Sequence, residues 1–315
     1  MIGSNCTKRS RPSRRFSVRR AGAFLRLARP VFLIGGFAGF GLGAAVARFD
    51  GYALDWRAYL LGQLIVTSFH VMVHFGNDYF DRETDVPGVR TPWSGGSGVL
   101  PEGALPAWVA LAAARACAVI GCAAALFAAA SGAFVLAVVG LAIGALAWAY
   151  SAPPFRLLAR GLGELDTVAV VALLVPFAGY AAFAHTLSGH ALIATVPGAC
   201  AMFAMMLAVE MPDVSADAAS GKRNLVVRWG IASAAIAART LASGAVLLLL
   251  FVGSTTFGAP PPAFVAVIPV AIVAAAFAAP QYVAHLSFAT FPFLGVALYG
   301  LTTCAGIVIV LTGAA

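Results

Sequence analysis

One short run carries most of the chemistry that this chain could do: Asn77-Asp78-Tyr79-Phe80-Asp81-Arg82-Glu83-Thr84-Asp85. Read as a helix, it sets Asp78, Asp81 and Asp85 at i, i+3 and i+7, on one face, with Asn77 one turn before Asp81. Three carboxylates on one stripe repel each other unless a cation joins them. Donors that are all oxygen suit Mg²⁺, which keeps part of its water shell and also takes phosphate oxygens. A second acidic pair follows far downstream, in Pro212-Asp213-Val214-Ser215-Ala216-Asp217. Asp213 and Asp217 stand at i and i+4, and Lys222 of Gly221-Lys222-Arg223-Asn224-Leu225 brings a cation close behind them.

A third run supplies further positive charge. Tyr150-Ser151-Ala152-Pro153-Pro154-Phe155-Arg156 is followed by Arg160-Gly161-Leu162-Gly163-Glu164. A diphosphate needs cationic partners besides its metal, and the arginine fork matches phosphate oxygens. Arg156 and Lys222 are the candidates for that task; either could instead be ordinary loop charge beside a membrane.

The elements that position these motifs are membrane helices. Hydrophobic residues make up 61% of the 315 and charged residues only 10%, and the mean hydropathy is +0.93. A soluble domain carries about 25% charged residues, so a normal polar surface is missing. Strand alternation is absent and Ala and Leu dominate, which predicts an all-α bundle rather than a barrel. Nine apolar runs are long enough to span, at 31–49, 58–76, 108–130, 133–150, 165–186, 191–211, 233–253, 263–282 and 289–312. Four spans separate the two aspartate motifs, an even number, so both must reach the same membrane face.

The net charge of +8 is concentrated at the start, where residues 1–30 hold nine of the 20 Lys and Arg and no acid. In so apolar a chain this arm reads as a topogenic signal rather than a nucleic-acid surface, with an organelle transit segment as the other reading. The expected organisation is a disordered basic arm over 1–28, on the cytoplasmic side, and a transmembrane domain over 29–315. With the arm inside, 16 of the 20 basic residues also fall inside, and ten of the twelve acids lie in or beside the first three inner loops. Carboxylates at a lipid boundary are costly unless paired or metal-bound, so they are functional candidates. The expected location is a cell (inner) membrane crossed many times, with the acidic loops in the cytoplasm. The five cysteines form no CxxC pair and read as small buried hydrophobes.

The conjunction of NDxxDxxxD, YSxPP, GLGE and DxxxD followed by GK resembles the UbiA superfamily of intramembrane prenyltransferases, over the chain from about Arg29 onward. That resemblance implies Mg²⁺-dependent transfer of a prenyl group from a polyprenyl diphosphate to an aromatic acceptor. It implies that Asn77, Asp78, Asp81, Asp85, Asp213 and Asp217 hold two Mg²⁺ ions against the diphosphate. Lys222, Arg156 and Arg29 would contact that group, and Tyr150 would border the reacting carbon. Within the superfamily, GLGE, PDxxAD-xxx-GKRxL and the loop Thr91-Pro92-Trp93-Ser94-Gly95-Gly96-Ser97-Gly98-Val99-Leu100 are most similar to the branch that prenylates 1,4-dihydroxy-2-naphthoate for menaquinone. One position departs from the pattern. Many relatives have Asn three residues before the ND pair, where this chain has His74, with His70 one turn earlier. His74 is expected to shape an acceptor pocket; the other readings are a satisfied interior histidine and an HxxxH transition-metal pair. Related activities, prenylation of a different aromatic or cyclisation of the diphosphate, use the same donor machinery, whereas a cation or phosphate carrier would put its acids near the bilayer midplane.

Overall fold

A computed structural model describes residues 14–84, 93, 95–278 and 290–313. Among them the chain is helical throughout. In order it forms α1 (Arg14–Ala28), α2 (Leu33–Phe49), α3 (Trp56–Asp81), α4 (Ala107–Ala130), α5 (Phe134–Ser151), α6 (Gly163–Ala184) and α7 (Gly189–Glu210). Two short helices, α8 (Val214–Ala219) and α9 (Leu225–Trp229), precede α10 (Ile231–Thr255), α11 (Val267–Ala278) and α12 (Thr290–Gly313). Eight of these stretches are long and apolar enough to cross a bilayer, and Pro261–Phe277 is a shorter ninth. Eight of the nine expected spans are therefore matched, and the ninth, read as 263–282, meets the shorter Pro261–Phe277 helix and runs beyond the described residues.

Polar residues start and stop the helices. The Asp55 carboxylate accepts from the Ala58 N–H and opens α3, Ser188 accepts from His190 N–H and opens α7, and Asn224 does the same for α9 through Val227 N–H. Trp56 and Trp108, 65% and 69% exposed, stand at the starts of α3 and α4, at opposite ends of the bundle, where aromatic belts form.

Helix–helix contact relies on missing side chains. A Cβ on Gly43 of α2 would collide with the Pro176 carbonyl of α6, and one on Gly179 of α6 would collide with the Phe40 carbonyl of α2. Two backbones thus touch directly, the small-residue packing that membrane helices use where lipid offers no hydrophobic contrast. Phe69 of α3, almost wholly buried, fills the space left by Gly121 of α4 and Gly144 of α5. At the end of the bundle opposite the acidic motifs, Asp50 draws three elements together. It accepts from Tyr180 at 2.8 Å, Ser188 at 3.0 Å and His190 Nδ1 at 2.6 Å.

The arm differs from expectation. Residues from Arg14 to Ala28 are helical rather than disordered. Ala23 and Leu27 are buried, Phe24 packs on Phe75 with ring centroids 5.3 Å apart, and Arg26 pairs with Glu102 at 2.6 Å. The reason is periodicity. Ala23, Phe24 and Leu27 form an apolar stripe under the arginines, a pattern that the density of charge conceals. The helix breaks at Arg29, which is left-handed at φ 48, and Pro30 starts a single tight turn into α2.

Candidate active site

Two adjoining cavities open where α3, α5, α6, α7 and the Arg29 break meet. The smaller, about 130 Å³, is polar. Asn77 and Asp81 of α3, Glu210 of α7, and Asp213, Asp217 and Lys222 beyond α7 line it. The two acidic motifs, more than a hundred residues apart in sequence, therefore share one chamber. Lys222 joins them, its Nζ 3.2 Å from Asp217 and 4.0 Å from Asp81. Asn77 donates to Asp81 at 2.7 Å and to Ser151 at 3.1 Å, and Asn224 donates to Asp217 at 2.7 Å. The larger cavity, about 320 Å³, is walled chiefly by aliphatic and aromatic residues of α2, α3, α5, α6, α7 and α12, with Asp166 as its one carboxylate among the described residues. Arg29, Asn77, Trp93 and Tyr150 border both, so they form the neck between a charged chamber and a lipophilic one.

The remaining expected residues divide. Tyr150 is in place at the neck, and His74 lines the larger cavity. Asp78 does not line either. Its carboxylate is buried and taken by the Arg29 guanidinium and by the hydroxyl and N–H of Ser97. Arg29 is correspondingly committed to a carboxylate on one of its nitrogens, while its Nε is buried with no partner. Arg156 is exposed and borders neither cavity. Asp85 lies outside the described residues.

Four participants were not named as site residues from the sequence. Glu210 stands one turn before Asp213, and its spacing alone was a usable signal. Ser97, Asn224 and Glu164 act through the fold. The Glu164 carboxylate accepts from Leu225 N–H, and Arg223 N–H donates to the Ala159 carbonyl at 3.0 Å. These bonds staple the GLGE loop to the segment carrying Lys222. The α6 helix widens to a π-type turn over Val168–Leu174, a local distortion frequent at functional sites. Tyr299 of α12 caps the Val171 carbonyl within it at 3.2 Å.

Does the donor set suit magnesium? Among the described residues no three of these side chains already converge as a ready cage. Mg²⁺ itself uses one or two carboxylates together with water and substrate phosphate. The unsatisfied groups bear on the donor set directly. Of the buried side-chain atoms without a partner, both Glu210 oxygens and one oxygen each of Glu164 and Asp166 are carboxylate, and Glu210 lines the polar chamber. Glu210 also stands within hydrogen-bond reach of the Glu164 carboxyl, so a proton shared between the two acids satisfies them as a cation would. The acids, the amide and the lysine fit a metal–diphosphate.

The sequence profile of the UbiA prenyltransferase family matches residues 32–286. The chain belongs to that family. This prenyltransferase also resembles solved UbiA-type structures. A UbiA homologue from Aeropyrum pernix K1 superposes with a TM-score of 0.66 at 19% identity, covering 88% of this chain and 96% of that one. A UbiA homologue from Archaeoglobus fulgidus, solved with GPP and Mg²⁺, gives 0.59 at 17%, covering 91% and 99%. A digeranylgeranylglyceryl phosphate synthase gives 0.60 at 16%, covering 93% and 99%. At these identities the likeness concerns the bundle alone. Curated protein sequences return no match. The chain is thus a multi-pass membrane enzyme that transfers prenyl groups.

Proposed function

We propose that this prenyltransferase moves a polyprenyl group from its diphosphate to an aromatic acceptor, most specifically 1,4-dihydroxy-2-naphthoate in menaquinone biosynthesis. The observation that carries the donor half is the shared chamber: Asp81, Asp213, Asp217 and Lys222 face one another at the mouth of an apolar cavity. The acceptor half rests on the GLGE and PDxxAD-xxx-GKRxL motifs.

Asp81, Asp213 and Asp217, with Asn77 and Glu210 beside them, would hold Mg²⁺. When bound, that metal supplies Lewis-acid neutralisation of the charge growing on the departing diphosphate. Lys222 exchanges its carboxylate partners for a phosphate oxygen. Its ammonium is positioned for this by Asp217 and by the Glu164 staple. The prenyl tail lies among Val, Ile and Met side chains, and the bond to be broken sits at the neck. There the Tyr150 ring faces the carbon that gains positive character, a cation–π contact on the order of 1–2 kcal/mol when desolvated. The apolar walls exclude the water that would otherwise capture the allylic cation. Arg29 and Asp78 hold the α1–α2 break in place as one wall of this chamber.

The N-terminus and the acidic end would face the cytoplasm of a cell membrane, following the bias of basic residues. Reconstituted protein given a labelled prenyl diphosphate, dihydroxynaphthoate and Mg²⁺ should release pyrophosphate and a lipid-soluble prenylated product. Transfer that persists in EDTA and in Asp81→Ala would overturn the reading.

A further inference from the structure

The larger cavity has two chemically different walls. On α5, α6 and α7 it is chiefly aliphatic, with Ile143, Val170 and Met202 beside the polar Tyr150, Asp166 and Thr167; on α3 it presents His70 and His74, successive turns of one face. The two imidazoles stand edge to face with centroids 4.9 Å apart. Phe32 meets His74 edge-on at 5.9 Å, and Trp93 meets Phe32 at 6.0 Å. An aromatic slot thus hangs directly beneath Arg29 and Asn77.

The polarity of that slot can be assigned. His74 Nδ1 lies 2.8 Å from the Ala28 carbonyl oxygen. A carbonyl only accepts, so Nδ1 carries the proton and, in the neutral ring, Nε2 carries a lone pair. His70 makes no hydrogen bond within the protein among the described residues, and its Nδ1 is held so close to α2 that a Cβ on Gly36 would sit 2.8 Å away. A prenyl tail along this wall would leave imidazole nitrogens unsatisfied in an apolar space, a cost of about 1–3 kcal/mol for each buried polar group. A planar ring that bears a hydroxyl satisfies them.

We infer that His74, seconded by His70, is the acceptor-recognising wall: Nε2 of His74 accepts a hydrogen bond from a ring hydroxyl of the aromatic substrate, with Phe32 and Trp93 flanking its ring. The inference rests on the proposed aromatic transfer and adds to it the group that selects a hydroxylated acceptor. Magnesium and the diphosphate take no part in it.

The test is competition in proteoliposomes between dihydroxynaphthoate and its mono-O-methyl ethers, with labelled prenyl diphosphate and Mg²⁺. Wild type should prefer the free hydroxyl, at least about tenfold, over one of the ethers. His74→Phe should raise the acceptor KM about tenfold, leave the donor KM within about twofold, and shrink the hydroxyl-to-ether preference towards one. His74→Gln, which can donate to Ala28 and still accept from the substrate, should restore most of that preference. Gly36→Ala, which displaces the His70 ring, should act on the acceptor KM in the same direction. Losing donor and acceptor affinity equally, or keeping the ether preference in an active and monodisperse His74→Phe protein, would overturn this inference and leave the transfer reading intact. A wild type that prenylates no hydroxylated aromatic would overturn both.

Discussion

The Glu164 carboxylate accepts a hydrogen bond from the backbone N–H of Leu225, which lies 61 residues further along the chain. The bond is fully buried and links the first turn of α6 to the first residue of α9. Its effect falls on Lys222 and Asn224, the residues just before Leu225, which meet Asp217. Glu164→Ala should therefore cost about 1–3 kcal/mol for the stranded N–H and should raise the donor KM more than it lowers thermal stability. Glu164→Gln, which keeps an acceptor oxygen, should recover most of the affinity. Donor KM and melting temperature in detergent, compared across the two variants, check this.

Lys222 balances two carboxylates and, on the proposed reading, the diphosphate. Replacing a charge-assisted phosphate contact is worth about 1.5–3 kcal/mol, and each 1.4 kcal/mol is about tenfold. Lys222→Met should raise the donor KM by about 10–100-fold and leave the acceptor KM nearly unchanged. Initial-rate kinetics with each substrate varied in turn would decide it.

Asp78 and Asp81 should behave differently although both belong to one motif. Breaking the buried Arg29–Asp78 pair leaves a guanidinium uncompensated, at a cost of about 3–5 kcal/mol. Asp78→Ala should lower the melting temperature sharply. Asp81→Ala should leave it nearly unchanged, or raise it, while abolishing transfer and flattening the Mg²⁺ dependence. Melting curves and Mg²⁺ titrations of both variants separate an anchoring carboxylate from a ligating one.

Gly43→Ala and Gly179→Ala each insert a methyl group into a backbone-to-backbone contact between α2 and α6. Overpacking costs about 1–3 kcal/mol or more, and here the obstructing atoms are carbonyls that cannot swing aside. Both variants should lose stability by at least that amount, whereas Gly132→Ala, in the turn between α4 and α5, meets no neighbour and should suffer only from its φ of 90. Thermal unfolding in one detergent compares all three.

The hydrogen-bonded knot at Asp50 should make stability fall in acid. Burial by itself would raise this carboxyl, but hydrogen bonds from Tyr180, His190 and Ser188 outweigh it and hold the group below its ordinary value. A depressed carboxyl stabilises the fold fully above its unfolded pKa, about 4, and loses that contribution as pH falls through the lower folded value. Wild type should therefore lose melting temperature below about pH 4, and Asp50→Asn should start lower at neutral pH and show a shallower acid slope. A melting series from neutral to acid pH for both proteins measures the difference.

The spans and the shared acidic chamber can be read from sequence because each depends on local pattern. Long apolar runs force helices in lipid, and an even number of them forces Asp81 and Asp217 to one end. What cannot be read depends on distant partners. Asp78 belongs to the same stripe as Asp81, yet Arg29 and Ser97, 49 and 19 residues away, remove it from the chamber. Arg156 has suitable chemistry and position in its motif, but it follows a turn that leaves it exposed. The helical arm escapes notice because its arginines dominate its composition while three apolar residues decide its fate.

The break at Arg29 sets a limit on maturation. Ala28 offers the carbonyl that orients His74, Arg29 neutralises Asp78, and Leu27 is packed into the bundle. Trimming that stops before Arg14 leaves every one of these in place. Trimming that passes Ala23 would strip the anchor and deliver an enzyme with its acidic motifs intact but one wall of its chamber missing. Removal of residues 1–13 should therefore spare these contacts, whereas a truncation to Pro30 would remove all three.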